Sequence, residues 1–163
     1  MQIRTATLDD APQLCDYAAR LLDERLPGIF RRDTPTLDQE IVYIRSFTEL
    51  ANSTLLIAEH DGVVMGLAGL QGGSSAEEGH VATLAVSVAR EFRGRGVGTA
   101  LIEALLAWAP EHGVRRVQLW AWDNNPGALA LYERLGFERE GRCRDALMVD
   151  GEPVDTHLLA IRT

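Results

Sequence analysis

The sequence predicts an α/β (α+β) fold, a mixed and strongly twisted sheet of six to seven strands flanked by helices on both faces. Three observations lead there. Two pairs of apolar runs each flank an Asp-Gly dipeptide, at Asp61-Gly62 and Asp150-Gly151, the signature of tight antiparallel hairpins. Between the two hairpins the pattern reads strand, helix, strand, helix, which calls for parallel pairing through a right-handed crossover. The 163 residues are 46% apolar and 25% charged, enough for one packed core, so residues 1–163 are expected to form a single domain.

Taken in order, Gln2 to Thr7 alternate as a short edge strand does. Thr7 and Asp10 have the spacing of a capping box, opening a helix that runs to about Leu22. Pro27, Gly28, Asp33 and Pro35 make a loop of Leu26 to Thr36, after which Leu37, Ile41, Ile44 and Phe47 recur at helical spacing. Thr54 to Glu59 and Val63 to Leu70 are the strands of the first hairpin. A Gly/Ser/Glu-rich loop from Gly72 to Gly79 leads into residues 80 to 88, HVATLAVSV, which reads as a central strand buried on both faces. Leu101, Ile102, Leu105, Leu106 and Trp108 mark a helix, Val114 to Trp122 a strand, and Pro126 to about Leu135 a further helix. Phe137 to Val149 and Val154 to Ile161 form the closing hairpin.

Composition narrows the chemistry. With 24 acidic against 16 basic residues the formal net charge is −8, which disfavours nucleic acid and is compatible with an amine substrate. Cys15 and Cys143 lie in no C-x-x-C or Cys/His cluster, so neither a disulfide framework nor a metal site is expected. The opening MQIRTATLDD has neither a basic start nor an apolar stretch, and no apolar run is long enough to span a bilayer; the expectation is a cytoplasmic protein that does not engage the membrane.

The chemistry is concentrated between Val86 and Ala109. There a strand ends, Gly94, Gly96 and Gly98 follow at alternate positions, and a long helix begins. Glycines at such a place let several backbone N–H groups converge on an anion, aided by the helix dipole. Arg93 and Arg95 add positive charge, so the loop is suited to a pyrophosphate. It is not a P-loop, since no lysine follows the glycines, and not a dinucleotide fingerprint, since Thr99 stands where the third glycine is required.

Arg93, Gly96 and Gly98 spell R-x-x-G-x-G, which resembles motif A of the GNAT superfamily of N-acetyltransferases, and Asn125 to Phe137 (NPGALALYERLGF) resembles that superfamily's N-x-x-A-x-x-x-Y-x-x-x-G-F segment. The resemblance covers roughly residues 80 to 161, and the closing hairpin is similar to that of bacterial amino-acid and ribosomal-protein acetyltransferases. It implies acetyl-CoA as co-substrate, without a metal, lodged in a gap between the strand ending at Val88 and the strand ending at Trp122. The backbone of Val86 and Val88 would pair with the pantetheine arm. The amides of Gly94, Arg95, Gly96, Val97, Gly98 and Thr99 would hold the pyrophosphate. Asn125 would contact the arm or simply cap its helix, and Tyr132 would protonate the departing thiolate, as a phenol protonated at neutral pH can. Direct attack by an amine follows, with no covalent intermediate.

The base is the open role. Ala82, Thr83, Leu84 and Ala85 carry no carboxylate, which leaves His80 as the nearest titratable candidate, with Glu77 and Glu78 in the adjoining loop; an amine that arrives neutral needs none of them. Trp120 and Trp122 alternate on their strand as sheet-packing residues, one of which could line the acceptor pocket, and Arg31 or Arg32 could hold an acceptor carboxylate. The expected acceptor is a small-molecule primary amine such as an amino acid. The alternatives are a protein N-terminus or lysine, a non-catalytic acyl-CoA-binding module, and a nucleotide-binding protein, the last disfavoured by the glycine spacing. A homodimer is expected on the resemblance alone.

Overall fold

The computed structural model describes residues 1–24 and 33–163. Among them, seven strands form one sheet: β1 (Gln2–Thr5), β2 (Thr54–His60), β3 (Val63–Gly72), β4 (Val81–Val88), β5 (Arg116–Trp122), β6 (Glu138–Val149) and β7 (Glu152–Arg162). Four α-helices accompany them: α1 (Ala11–Asp23), α2 (Leu37–Ser46), α3 (Val97–Glu111) and α4 (Pro126–Arg134). The strand order is β1-β2-β3-β4-β5-β7-β6. β4 and β5 are parallel and every other neighbouring pair is antiparallel, so the mixed sheet expected from the sequence is present.

Local signals account for most of these elements. Asp61 and Gly62 adopt φ of 51° and 75°, and Asp150 and Gly151 adopt 51° and 85°, the paired left-handed conformation that a two-residue hairpin needs. At the start of α1, Thr7 N–H donates to the Asp10 carboxylate at 2.7 Å, and the first turn is wound as a 3₁₀ helix over Leu8–Asp10. Thr36 and Gln39 cap α2 reciprocally, at 2.9 and 3.3 Å. Leu37 departs from the expected apolar stripe: as the first residue of α2 it is exposed, while Ile44 and Phe47 are buried. The part of the expected Leu26–Thr36 loop up to residue 32, with Arg31 and Arg32, lies outside the described residues.

Two cores lie on opposite faces of the sheet. On one, Leu101, Ile102 and Leu105 of α3 and Leu129 of α4 pack on Ala68, Leu70, Leu84, Val117 and Leu119. On the other, Leu14, Tyr17 and Leu21 of α1 and Ile44 of α2 pack on Leu55, Ile57 and Val64. The second layer reaches β2 and β3 but leaves β4 largely uncovered. Thr83 and Ala85 are exposed, whereas Ala82 and Leu84 on the α3 face are buried. The expectation of a strand buried on both faces is therefore corrected. Its apolar run reflects small residues on an open face, with no helix among the described residues packed above Thr83 and Ala85.

Gly66 of β3 sets the height of α3. A Cβ there would lie 3.0 Å from Leu101 Cδ1, 3.0 Å from Ser87 O and 3.1 Å from Val97 Cγ1, so the glycine lets the start of the helix settle close to the sheet. Gly66→Val is expected to lose about 1–3 kcal/mol through overpacking, read from denaturant unfolding with an unchanged slope.

A second tie joins β1 and its neighbour β2 to the start of α1. Arg4 donates to both Asp10 oxygens at 2.7 and 2.8 Å and to Glu59 at 2.9 and 3.2 Å. The Arg4 guanidinium, with the Thr7 amide and hydroxyl behind it, holds the Asp10 carboxyl well below the usual carboxylate range. A depressed folded-state pKa stabilises above the unfolded value of about 3.9 and is lost as pH falls through the folded one. Asp10→Asn should therefore melt lower than wild type at pH 7, with the difference shrinking as the buffer is taken below about pH 4.

Candidate active site

The site begins where two strands part. β4 and β5 are paired only over Val81–Thr83 and Arg116–Gln118, after which the ladder stops although both strands continue. His80 C=O accepts from Arg115 and Arg116 across this edge, while Val81 C=O and Ala89 N–H bond on the β3 side. Backbone groups of a strand alternate in direction, so even-numbered residues of β4 face β5. Val86 thus turns its N–H and C=O, and Val88 its N–H, into the gap beyond Thr83 with no strand to meet them, while Val88 C=O accepts from Arg93 Nε at 2.8 Å. A separated strand edge of this kind accepts an extended ligand as a further strand.

The glycine loop closes the same end of the gap. Gly94 and Gly96 have φ of 70° and 82°, and a Cβ at either would meet nothing within 4 Å, so conformation and not space requires glycine at these two positions. The first bond of α3 runs from Ala100 N–H to Gly96 C=O at 2.9 Å, leaving the amides from Gly94 to Thr99 without an intrahelical acceptor. They sit at the positive end of a 15-residue helix. Gly98 brings three elements together: a Cβ there would stand 3.5 Å from Val88 Cγ2 and 3.7 Å from Leu131 Cδ2 of α4. Val97 is buried with its side chain in the core, so it offers the site its amide.

The two arginines divide. Arg95 is exposed and makes no ion pair among the described residues, which suits it to an anion in the loop. Arg93 is otherwise engaged: its Nε donates to Val88 C=O at 2.8 Å and its guanidinium lies 2.7 Å from the Glu24 carboxylate. In this structure the guanidinium expected at a pyrophosphate is thus held by a buried counter-ion and a strand carbonyl.

Asn125 caps α4, its side chain accepting from Ala128 N–H at 3.2 Å and its own N–H donating to Trp122 C=O at 3.0 Å. The cap role is thus observed, and it fixes the turn leaving β5. Tyr132, two turns further, packs edge-on against Phe137 with ring centroids 5.9 Å apart. Its hydroxyl makes no hydrogen bond among the described residues, and burial pushes the phenol up to about 12, so it stays protonated throughout the neutral range.

His80 is elsewhere. It is an exposed residue before the first rung of β4, where its carbonyl braces β5. Six residues separate it from Val86, about 20 Å along a strand, so it stands at the closed end of the β4/β5 pair. This corrects the reading of His80 as a base. Trp122 is buried, but Trp120 is 48% exposed on the open face, flanked by Leu158 of β7 in the ladder, so the pair are not both packing residues.

Three features escape sequence reasoning. Tyr17 of α1 reaches Ser87 Oγ at 2.9 Å across 70 residues of chain. Burial, partly offset by that Ser87 bond, raises its phenol to about 12. Glu24 pairs with Arg93 over a similar separation. His157, buried on β7, lies 2.6 Å from Asp123 and ties that strand to the end of β5. None carries a local signal, since each partner is distant in sequence.

Comparison with known proteins agrees with this geometry. The model of the acetyltransferase (GNAT) family matches residues 18–137. An N-alpha-acetyltransferase of Arabidopsis thaliana is 35% identical over 131 residues, 78% of this chain and 68% of the relative. An L-amino acid N-acetyltransferase of Escherichia coli is 29% identical over 106 residues, 64% of this chain and 65% of the relative. Three further curated relatives are matched over only 22%, 43% and 25% of their own lengths. Among solved structures, a GNAT superfamily phosphinothricin acetyltransferase from Sinorhizobium meliloti in complex with acetyl-CoA superposes with a TM-score of 0.88 at 20% identity, over 99% of this chain and 87% of that one. The family match spans well over half of the sequence and coincides with the parted strands and the glycine loop: the chain belongs to the acetyltransferase (GNAT) family.

Proposed function

We propose that this chain is an acetyl-CoA-dependent N-acetyltransferase acting on a primary amine, as one domain over residues 1–163. The observation that carries the reading is the coincidence, at one end of the sheet, of a strand edge left without a partner strand at Val86 and at the Val88 N–H with the amides of Gly94 to Thr99. The first suits an extended pantetheine arm with its alternating amides. The second suits a pyrophosphate. The residues fit the group: the edge is open, the amides lack acceptors, and Arg95 supplies an exposed cation.

Acetyl-CoA supplies an activated acyl group as its thioester. The protein's part is to orient it and manage one proton. A β4 amide in the gap polarises the carbonyl oxygen. Tyr132, protonated and without a protein hydrogen-bond partner among the described residues, holds the proton that the leaving sulfur requires. A non-catalytic acyl-CoA-binding module has no use for such a phenol. With His80 at the closed end, no base is assigned; the ammonium loses its first proton to solvent before it enters, and the proton that nitrogen sheds as the amide forms replaces, through solvent, the one Tyr132 gives to sulfur.

The acceptor we favour is a small amine such as an amino acid, supported by the likeness to the E. coli enzyme and the similar closing hairpin. A protein N-terminus is the second reading, favoured by the longer and closer match to the Arabidopsis relative. A cytoplasmic location and a homodimer complete the proposal. Calorimetric titration with acetyl-CoA, followed by thiol release against amino acids, polyamines and N-terminal peptides, tests the enzymatic reading: binding with release identifies the acceptor class, and no binding sinks the reading.

Two substitutions separate the parts. Tyr132→Phe should lower kcat about a hundredfold while leaving acetyl-CoA affinity within about twofold, measured by steady-state kinetics and calorimetry; equal loss in both would make the tyrosine structural. Gly96→Glu should abolish acetyl-CoA binding, because it places a carboxylate among the amide donors and a side chain at a left-handed φ of 82°.

A further inference from the structure

Glu24 is the C-terminal cap of α1, a position at which the helix dipole favours a cation over a carboxylate. Its side chain is nevertheless only 10% exposed, and both oxygens face the turn that precedes the glycine loop. Oε2 lies 2.7 Å from the Arg93 guanidinium, and Oε1 accepts from Arg90 N–H at 3.2 Å. The same guanidinium donates through Nε to Val88 C=O at 2.8 Å. Arg93, the residue before Gly94, therefore joins the last residue of β4 to the end of α1.

Between Arg93 and Val97 the chain passes through two left-handed glycines, and among the described residues no side chain outside the loop bonds to that stretch. Glycine has the most conformational freedom to lose, so an array of amides built on it binds an anion well only if it is already held at both ends. The first turn of α3, seated on Gly66, holds one end. The other end has Arg93. A cation in that place needs its counter-ion, since removing one member of a buried pair leaves an uncompensated charge that seeks another arrangement.

We infer that Glu24 is a positioning residue for the pyrophosphate of acetyl-CoA: by holding Arg93 against Val88 it fixes the entrance of the amide loop before the cofactor arrives. This rests on the acetyl-CoA reading above and extends it, because it gives α1, which carries no motif, a part in cofactor affinity.

The test measures binding of coenzyme A by calorimetry and of pantetheine, which has the arm but no pyrophosphate, by NMR titration. Wild type, Glu24→Gln, Arg93→Gln and the double variant are compared, with melting temperatures alongside. Glu24→Gln is expected to weaken coenzyme A about tenfold or more and to leave pantetheine within about twofold. The double variant should bind no worse than the weaker single one, because both changes break one unit. In the unliganded protein the amide signals of Gly94, Gly96 and Gly98 should shift in Glu24→Gln. Unchanged or tighter coenzyme A binding by Glu24→Gln overturns the inference, the tighter case making Arg93 a direct ligand once released. Equal weakening of both ligands also overturns it, since Glu24 would then only hold α1 in place. Wild-type protein that binds neither ligand removes the acetyl-CoA reading itself.

Discussion

Everything at the site depends on one broken ladder. Parallel strands that pair through Thr83 and Gln118 and then separate leave polar backbone groups of Val86 and Val88 facing a gap. Buried N–H and C=O groups without partners are costly, so a strand edge of this kind persists only where solvent or a ligand meets it. The opening is maintained from both sides. Seven residues of β5 are registered on β7, and β4 is registered on β3 along its last strand residues, so neither strand is able to swing inward and close it. The turn after β5 is held by Asn125 and the turn after β4 by Arg93.

Electrostatics at this gap run against the molecule as a whole. The chain carries a formal charge of −8, which repels polyanions at long range. The glycine loop offers a local reversal, made of oriented amides, a helix N-terminus and the exposed Arg95. Such fields decay within a few ångströms and are screened beyond about 10 Å at ordinary ionic strength, so a compact anionic group can be held where a nucleic acid is not attracted.

Much of this was legible in the sequence, and the division has a physical basis. Features fixed by neighbours in the chain were readable: the Asp-Gly hairpins, the Thr7 and Asn125 caps, and the glycines before α3. The burial of β4 was misread because an apolar run does not reveal which face a helix will cover, and Thr83 and Ala85 are small enough to stand uncovered. His80 was misplaced because proximity in sequence along an extended strand is distance in space. The roles of Arg93 and of Tyr17 with Ser87 needed the fold, since their partners lie about 70 residues away.

The position of β7 has a consequence for how the molecule is made. Residues 152–162 do not finish the sheet at its edge; they lie between β5 and β6, which precede them in the chain. While the polypeptide is being synthesised, β5 has only three paired residues on its β4 side until that segment emerges from the ribosome. Contacts of such long sequence separation form late and slow folding, leaving a strand containing Trp120 and Trp122 transiently unprotected. A nascent chain that stalls before residue 152 would present an adhesive edge, a window in which chaperone engagement matters more than at any point in the mature protein's life.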